Sequence, residues 1–126
     1  MKNAILTSAA PAAIGPYSQA VAAGHTVYFS GQLGIDPATG QLADTFEAQA
    51  RQVFANLRAV AAAAGADMND FVKLNVYLTD LGQFGVVNDL MASCFSEPYP
   101  ARAALGVASL PRGAQIEVDG MLVRQP

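Results

Sequence analysis

Residues 71–79 read Phe71-Val72-Lys73-Leu74-Asn75-Val76-Tyr77-Leu78-Thr79. In this stretch Val72, Leu74, Val76 and Leu78 alternate with Phe71, Lys73, Asn75, Tyr77 and Thr79. Successive side chains on a β-strand point to opposite faces of a sheet, so the alternation predicts a strand with one apolar and one mixed face. A half-covered strand of this kind indicates a sheet that packs helices against one face only.

A long helical pattern precedes this strand. Apolar residues recur at helical spacing from Phe46 to Ala64, and Gly65 then ends the run. Asp44 with Glu47 three residues later resembles a capping box, in which two side chains bond the free N–H groups at a helix start. We therefore expect the first helix to begin at this pair.

A shorter helical pattern follows the strand. A second helix is predicted from about Leu81 to Phe95, with Asp80 near its N-cap and Pro98 and Pro100 beyond its end. Its inner face is predicted to carry Phe84, Val87, Leu90, Met91 and Cys94. Two helices can cover only one face of the sheet, so the other face is expected to stay open in a single chain.

The first third of the chain is predicted to form strands. Residues 20–23 and 26–30 indicate a hairpin around Gly24-His25, since glycine in the first turn position favours a type II′ turn. A short additional strand is expected near Ile5.

Two more strands are predicted after the second helix, over residues 103–109 and 115–124, separated by the turn Pro111-Arg112-Gly113. The predicted order is then β-β-β-α-β-α-β-β, an α+β fold. The helix-covered face is predicted to carry Leu105, Val107, Ile116, Val118 and Leu122. The other face would carry Ala104, Gly106 and Ala108 beside Gln115, Glu117, Asp119 and Met121. Because that mixture suits neither a dry core nor a fully solvated surface, a cleft between subunits is expected there.

The composition limits the fold and the partners. A chain of 126 residues predicts one domain spanning residues 1–126. Hydrophobic residues make up 52% and charged residues only 13%, which favours self-association. The net charge is -3 and the 7 Lys and Arg residues form no run, so nucleic acid is not an expected partner.

The sequence also bears on location. A single cysteine, Cys94, excludes an internal disulfide and suits a reducing compartment. The apolar residues 4–6 are too few for a signal-peptide core, and charges interrupt the alanine-rich stretch well before it reaches the length of a membrane span. We therefore expect a cytoplasmic protein without membrane contact.

Arg102 and Glu117 are the strongest candidates for chemistry. Arg102 follows Pro100-Ala101, and its guanidinium offers a planar fork that matches a carboxylate. Glu117 lies between Ile116 and Val118, and a half-buried glutamate can orient or deprotonate water. Together they suit a small anionic substrate, although a strand-end charge pair and a solvated carboxylate are the ordinary alternatives.

Other motifs carry weaker signals. Tyr17 follows Gly15-Pro16 and is an aromatic hydroxyl on a stiff loop, and Ser30-Gly31-Gln32 ends a strand where a ligand or a bulge would fit. The lone His25 and the absence of paired-cysteine, P-loop or dinucleotide motifs predict no metal and no cofactor.

Four spaced segments resemble the reactive intermediate deaminase A (RidA, or YjgF) family: residues 11–20, 30–32, 100–102 and 116–118. The resemblance implies a chorismate-mutase-like α+β fold with a mixed six-stranded sheet and two helices on one face. It also implies a homotrimer with a site at each subunit interface. The implied activity is cofactor-free hydrolysis of enamine or imine intermediates, such as 2-iminobutanoate and 2-iminopropanoate, to 2-oxo acids and ammonia.

The resemblance also assigns roles to particular residues. Arg102 would hold the substrate carboxylate, and Glu117 would position the attacking water. Tyr17, Ser30, Gly31 and Asn88 would line the rest of the pocket. Ala104 stands where many relatives have a cysteine, so a role through the backbone N–H is retained and a role through a thiol is lost.

Three functions stay open at this point. An imine deaminase that binds an imino or 2-oxo acid is favoured. A non-catalytic trimeric sensor of small carboxylates would use the same Arg102, and an endoribonuclease is disfavoured by the acidic charge balance.

Overall fold

Six strands and two α-helices make up the fold of the computed structural model, which describes residues 1–126. In chain order they are β1 (Lys2–Ile5), β2 (Ala20–Ala23), β3 (Thr26–Leu33), α1 (Phe46–Ala63), β4 (Phe71–Leu78), α2 (Phe84–Cys94), β5 (Ala101–Gly106) and β6 (Ile116–Val123). The predicted element order and the α+β class are confirmed.

The strands form one mixed sheet in the order β1-β2-β3-β6-β4-β5. All neighbours pair antiparallel except β4 and β5, which run parallel. A parallel pair needs a long crossover, and α2 supplies it between β4 and β5. Strands β5 and β6 do not form a hairpin with each other, because β6 lies between β3 and β4.

Both helices pack on one face of the sheet, where 25 buried residues form the hydrophobic core. From the sheet, Val27, Leu74, Val76, Ile116 and Leu122 are all fully buried in this core. The opposite face has no covering element in the chain. No helix has the length and apolar character needed to cross a bilayer.

The N-cap of helix α1 lies one residue after Asp44, where the capping box was predicted to begin. Its N-cap is Thr45, whose Oγ1 accepts a hydrogen bond from the Ala48 N–H at 3.2 Å. The predicted capping box between Asp44 and Glu47 is therefore wrong. Glu47 instead forms an exposed ion pair with Arg51 at 3.1 Å, one helical turn further on.

Helix α2 is shorter than predicted because its first turn is separate. Asp80 Oδ1 accepts from the Gly82 N–H at 2.9 Å and caps a short 3-10 turn over Leu81–Gln83. The α-helix then runs from Phe84 to Cys94. Val87, Leu90 and Met91 are buried on its inner face, whereas Phe84 and Cys94 are only partly buried.

Two irregularities shift which side chains reach the core. A register shift between Phe71 and Lys73 turns Phe71 inward, where its ring centroid lies 4.7 Å from that of Phe29. Val72 is consequently 45% exposed, so the predicted faces of these first two residues of β4 are reversed. A second shift in β3, between Phe29 and Gln32, places a β-bulge at Ser30 and Gly31.

The predicted faces of β5 are wrong. Its register pairs Arg102 with Leu74 and Ala104 with Val76, and both partners are core residues. Residues in register share a face, so Arg102 and Ala104 point toward the helices. Leu105 lies on the open face and is 52% exposed. The faces of β6 are as predicted, with Ile116, Val118 and Leu122 buried and Glu117 on the open side.

Candidate active site

The Arg102 guanidinium is fixed against helix α2. Its Nη1 donates to Asn88 Oδ1 at 2.6 Å and lies 3.5 Å from the Met91 sulfur, and its central carbon lies 4.7 Å from the centroid of the Phe84 ring. Phe84, Asn88 and Met91 are spaced by four and three residues, so they share one helix face. These contacts hold the planar fork in one orientation.

An open cavity of about 440 Å³ adjoins this arginine. It is lined by Asn88, Met91, Ala92, Tyr99, Pro100 and Arg102. The structure thus brings together Arg102 and Asn88, as the resemblance implied. Sequence reasoning missed Phe84 and Met91 as neighbours of the guanidinium, although their helical spacing from Asn88 was a usable signal. Ala104 faces the helices two residues further along β5 and lines neither this cavity nor the next.

Glu117 lies in a second cavity, of about 360 Å³. Its lining contains Pro11, Ile14, Tyr17, Gln19, Ser30, Gly31, Gln32, Leu33, Ile35, Pro111, Arg112 and Glu117. Four residues assigned by the resemblance, Tyr17, Ser30, Gly31 and Glu117, therefore share one cavity. Arg102 and Asn88 are not among its lining residues.

The β3 bulge makes room for the glutamate. A Cβ atom added to Gly31 would overlap the Glu117 carboxylate, because this Cβ would lie only 2.8 Å from the carboxyl carbon of Glu117. Only glycine permits this close approach. The bulge also directs the Ser30 hydroxyl to donate to the Ser18 carbonyl, which ties β3 to the loop that carries Tyr17.

A buried glutamine holds that loop in place. Gln19 is 2% exposed, and its Nε2 donates to the carbonyls of Thr7 at 3.0 Å and Pro11 at 2.9 Å. Its Oε1 accepts from the Thr7 N–H at 2.7 Å. Tyr17 is 52% exposed and lies at the cavity, and its hydroxyl oxygen accepts a hydrogen bond from the Ile14 nitrogen at 3.5 Å.

The environment of Glu117 favours its protonated form. Burial, and then the negative charge of Asp119, raise the pKa of the Glu117 carboxyl above its ordinary value. Asp119 is itself bonded by Asn75 and Tyr77 on the neighbouring strand. A carboxyl with a raised pKa holds a proton more tightly than a free glutamate does, which suits it to accept a proton and then return it.

Arg112 is a cavity residue that sequence reasoning treated only as part of a turn. It has a φ of 63°, in the left-handed region that non-glycine residues rarely adopt, and its Nη2 donates to the Gly40 carbonyl at 3.1 Å. The guanidinium forms no ion pair within the chain, where the sole salt bridge joins Arg51 and Glu47. The turn motif alone gave no signal that this cation would border Glu117.

Within one chain the two principal candidates stand apart. Arg102 is on the helix side of β5 and Glu117 on the open side of β6, with β4 between them. No group of three or more His, Cys, Asp or Glu side chains is placed to hold a metal ion. The arrangement offers a carboxylate anchor in one cavity and a proton-transfer group in another.

Residues 7–123 match the family model described as Endoribonuclease L-PSP. The chain belongs to this family. It is 46% identical over 127 aligned positions to the 2-iminobutanoate/2-iminopropanoate deaminase of Mus musculus, covering 100% of this chain and 94% of that protein.

Two solved structures superpose closely on this chain. RidA from an Antarctic Psychrobacter bacterium is 55% identical with a TM-score of 0.94, covering 96% of this chain and 98% of that one. TdcF of E. coli, solved with bound serine, is 35% identical with a TM-score of 0.91, and the match covers 98% of this chain and 99% of TdcF. These relatives confirm the resemblance to the RidA family.

Proposed function

We propose that this protein is an imine deaminase, which hydrolyses 2-iminobutanoate, 2-iminopropanoate and similar enamine or imine intermediates to 2-oxo acids and ammonia. The observation that carries the proposal is the Glu117 carboxyl, which lies against Gly31 in a cavity and has a raised pKa. The named activity of the mouse relative, 46% identical over the full chain, supports the same reaction.

The proposed reaction uses Glu117 twice. The Glu117 carboxylate takes one proton from water while the water oxygen bonds to the carbon of the protonated imine, which gives a neutral carbinolamine. Glu117 then returns that proton to the amine nitrogen. The carbon–nitrogen bond breaks as ammonia leaves, the hydroxyl oxygen forms the carbonyl, and the hydroxyl proton passes to the Glu117 carboxylate and from there to solvent. One imine and one water give one 2-oxo acid and one ammonia, and no cofactor takes part.

Arg102 is proposed to bind the substrate carboxylate. Its guanidinium is held by Asn88 and Phe84 with donors left for a second, bidentate partner. TdcF, whose structure contains serine, is a relative that binds a molecule with an α-carboxylate. A point charge would attract the same group but would orient it less well.

The complete site is proposed to form between subunits of a homotrimer with a chorismate-mutase-like arrangement. Arg102 and Glu117 project from opposite faces of one chain, so a second chain is needed to bring the two groups to one substrate. The uncovered face also exposes Tyr28 (50%), Leu105 (52%) and Val123 (44%), apolar surface suited to burial against another copy. Light scattering at micromolar concentration tests the assembly, and a monomeric mass would contradict it.

The activity is tested by generating imines in situ with a threonine or serine dehydratase. Ammonia or 2-oxo acid release should exceed spontaneous hydrolysis with the parent protein, and should fall to the spontaneous rate with Glu117→Gln. If both proteins bind a 2-oxo acid and neither accelerates hydrolysis, the small-carboxylate sensor replaces the enzyme. An endoribonuclease is disfavoured by the net charge of -3, since a phosphate backbone requires a basic surface.

A further inference from the structure

A second carboxylate lies beside Glu117 on the open face. Asp119 is two residues further along β6, so the two side chains point the same way with their Cα atoms roughly 6.6 Å apart. The Asp119 Oδ1 accepts from Asn75 Nδ2 at 2.7 Å, and its Oδ2 accepts from the Tyr77 hydroxyl at 3.0 Å. Both carboxylate oxygens are thereby fixed by donors from one neighbouring strand.

The β4–β6 register makes this bonding pattern informative. Tyr77 pairs with Glu117 and Asn75 pairs with Asp119. Tyr77 is therefore the cross-strand neighbour of Glu117, yet its hydroxyl donates diagonally to Asp119. Burial, and then the bond to Asp119, raise the pKa of Tyr77, so its hydroxyl remains a donor. The donors of β4 stabilise the Asp119 carboxylate and leave Glu117 without a side-chain partner.

Other charged or titratable groups face this region from several elements. Tyr17 and Arg112 border the Glu117 cavity, and Lys73 lies further along β4, opposite Met121. The Arg112 guanidinium is turned to the Gly40 carbonyl. The pKa of the Glu117 carboxyl is raised first by burial and then by the charge of Asp119.

We propose that Asp119, fixed by Asn75 and Tyr77, is a positioning residue for Glu117, whose static negative charge keeps the Glu117 carboxyl a strong enough base to take a proton from water. The inference rests on the proposed deaminase function. A carboxylate with a raised pKa is a stronger base toward water than a carboxylate of ordinary acidity. The effect of one charge on the other depends on the distance between them, which two unbonded carboxylates would not keep constant. The bonds from Asn75 and Tyr77 supply the constant distance.

The chain suits a direct measurement, because Glu47, Glu97 and Glu117 are its only glutamates. Protein labelled with carbon-13 at the glutamate carboxyl should give three carboxyl resonances, and Glu117→Gln identifies the one that belongs to Glu117. In the parent this resonance should titrate above the ordinary range of a glutamate carboxyl. In Asp119→Asn it should titrate at lower pH than in the parent, and burial should keep it above that ordinary range.

Tyr77→Phe is the matched control, since it removes one of the two bonds to Asp119 and leaves both the Asp119 charge and the bond from Asn75. The Glu117 titration in this variant should move less than in Asp119→Asn. If Asp119→Asn does not fold, Asp119→Ser removes the same charge with a smaller side chain. An unchanged Glu117 titration after removal of the Asp119 charge would overturn the inference, as would an equal shift in Tyr77→Phe.

The kinetic readout separates this inference from the proposed function. The acid limb of the pH dependence of kcat/KM should move to lower pH in Asp119→Asn, in parallel with the resonance. A titration shift in a protein with no deaminase activity would support the coupling and contradict the proposed function. A moved resonance with an unmoved acid limb in an active enzyme would contradict the positioning role.

Discussion

Arg102 and Glu117 occupy consecutive strands of the sequence but project from opposite faces of the sheet. Arg102 is in register with the buried Leu74, and Glu117 is in register with Tyr77 on the open face. The guanidinium is bonded to helix α2, whereas the carboxylate lies against Gly31 in β3. A substrate that contacts both groups therefore draws them from two copies of the chain.

This relationship predicts that two variants, each inactive alone, regain deaminase activity when they assemble in the same trimer. Arg102→Ala and Glu117→Gln should each be inactive, and refolding them together in equal amounts should return about a quarter of the sites in a cyclic trimer. A site is intact when one chain supplies Arg102 and its neighbour supplies Glu117. Deaminase activity after co-refolding measures the effect. The control mixes the two folded variants under conditions in which their subunits do not exchange, and it should stay inactive. No recovery in mixed trimers of verified mass would place both groups in one chain.

Arg102→Lys should lose most of the activity although it keeps the charge. An ammonium cannot bond Asn88, lie over Phe84 and grip a carboxylate with two parallel bonds, so kcat/KM should fall ~10–100-fold. Arg58→Lys on α1, away from both cavities, is the matched control and should retain activity. If Arg102→Lys turns over substrate as fast as the control, Arg102 does not anchor the substrate carboxylate.

The sequence predicted the elements because their signals are local. The alternation over residues 71–79 and the helical spacing from Phe46 onward depend only on which side chains must reach a core. The hairpin at Gly24 is equally local, and this glycine has the positive φ of 64° that its turn requires.

The faces of β5 could not be predicted in the same way. Small residues such as Ala103 and Ala104 give no strong alternation, and the face of an edge strand is set by its register with β4. The two bulges, at Gly31 and near Val72, likewise depend on partner strands. The grouping of Tyr17, Ser30 and Gly31 with Glu117 came from family resemblance, since these residues meet only after the sheet assembles.

The start of helix α1 provides a stability prediction. Thr45→Ala removes the bond from its hydroxyl to the Ala48 N–H and should lower the free energy of unfolding by about 1 kcal/mol. Asp44→Ala should have a much smaller effect, because the N-cap is Thr45. Urea denaturation of the two variants at equal protein concentration measures the difference. A larger loss in Asp44→Ala would restore the capping box predicted from sequence.

Gly31→Ala should reduce activity without unfolding the protein. The added Cβ overlaps the Glu117 carboxylate, which must swing away from its position in the cavity, so kcat/KM should fall ~10–100-fold. Gly85→Ala is the matched control, because a Cβ at this exposed position of α2 meets no atom within 4 Å. The control should keep its activity and gain roughly 0.5–1 kcal/mol of stability. Equal kcat/KM in the two variants would show that the Gly31 contact does not position Glu117.

Glu117→Gln should make the protein more stable at neutral pH while abolishing its activity. Burial, and then the Asp119 charge, raise the pKa of Glu117 in the folded state above its unfolded value. The folded chain therefore binds the proton more tightly, and stability is lost as the pH rises from the unfolded pKa through the folded one. Glutamine cannot ionise, so the urea midpoint of the variant should exceed that of the parent at about pH 7, and the two should converge near pH 4. Glu97→Gln, at an exposed position, is the control for replacing one glutamate by glutamine. A variant whose midpoint follows that of the parent across the whole range would show that the folded state does not disfavour the Glu117 charge.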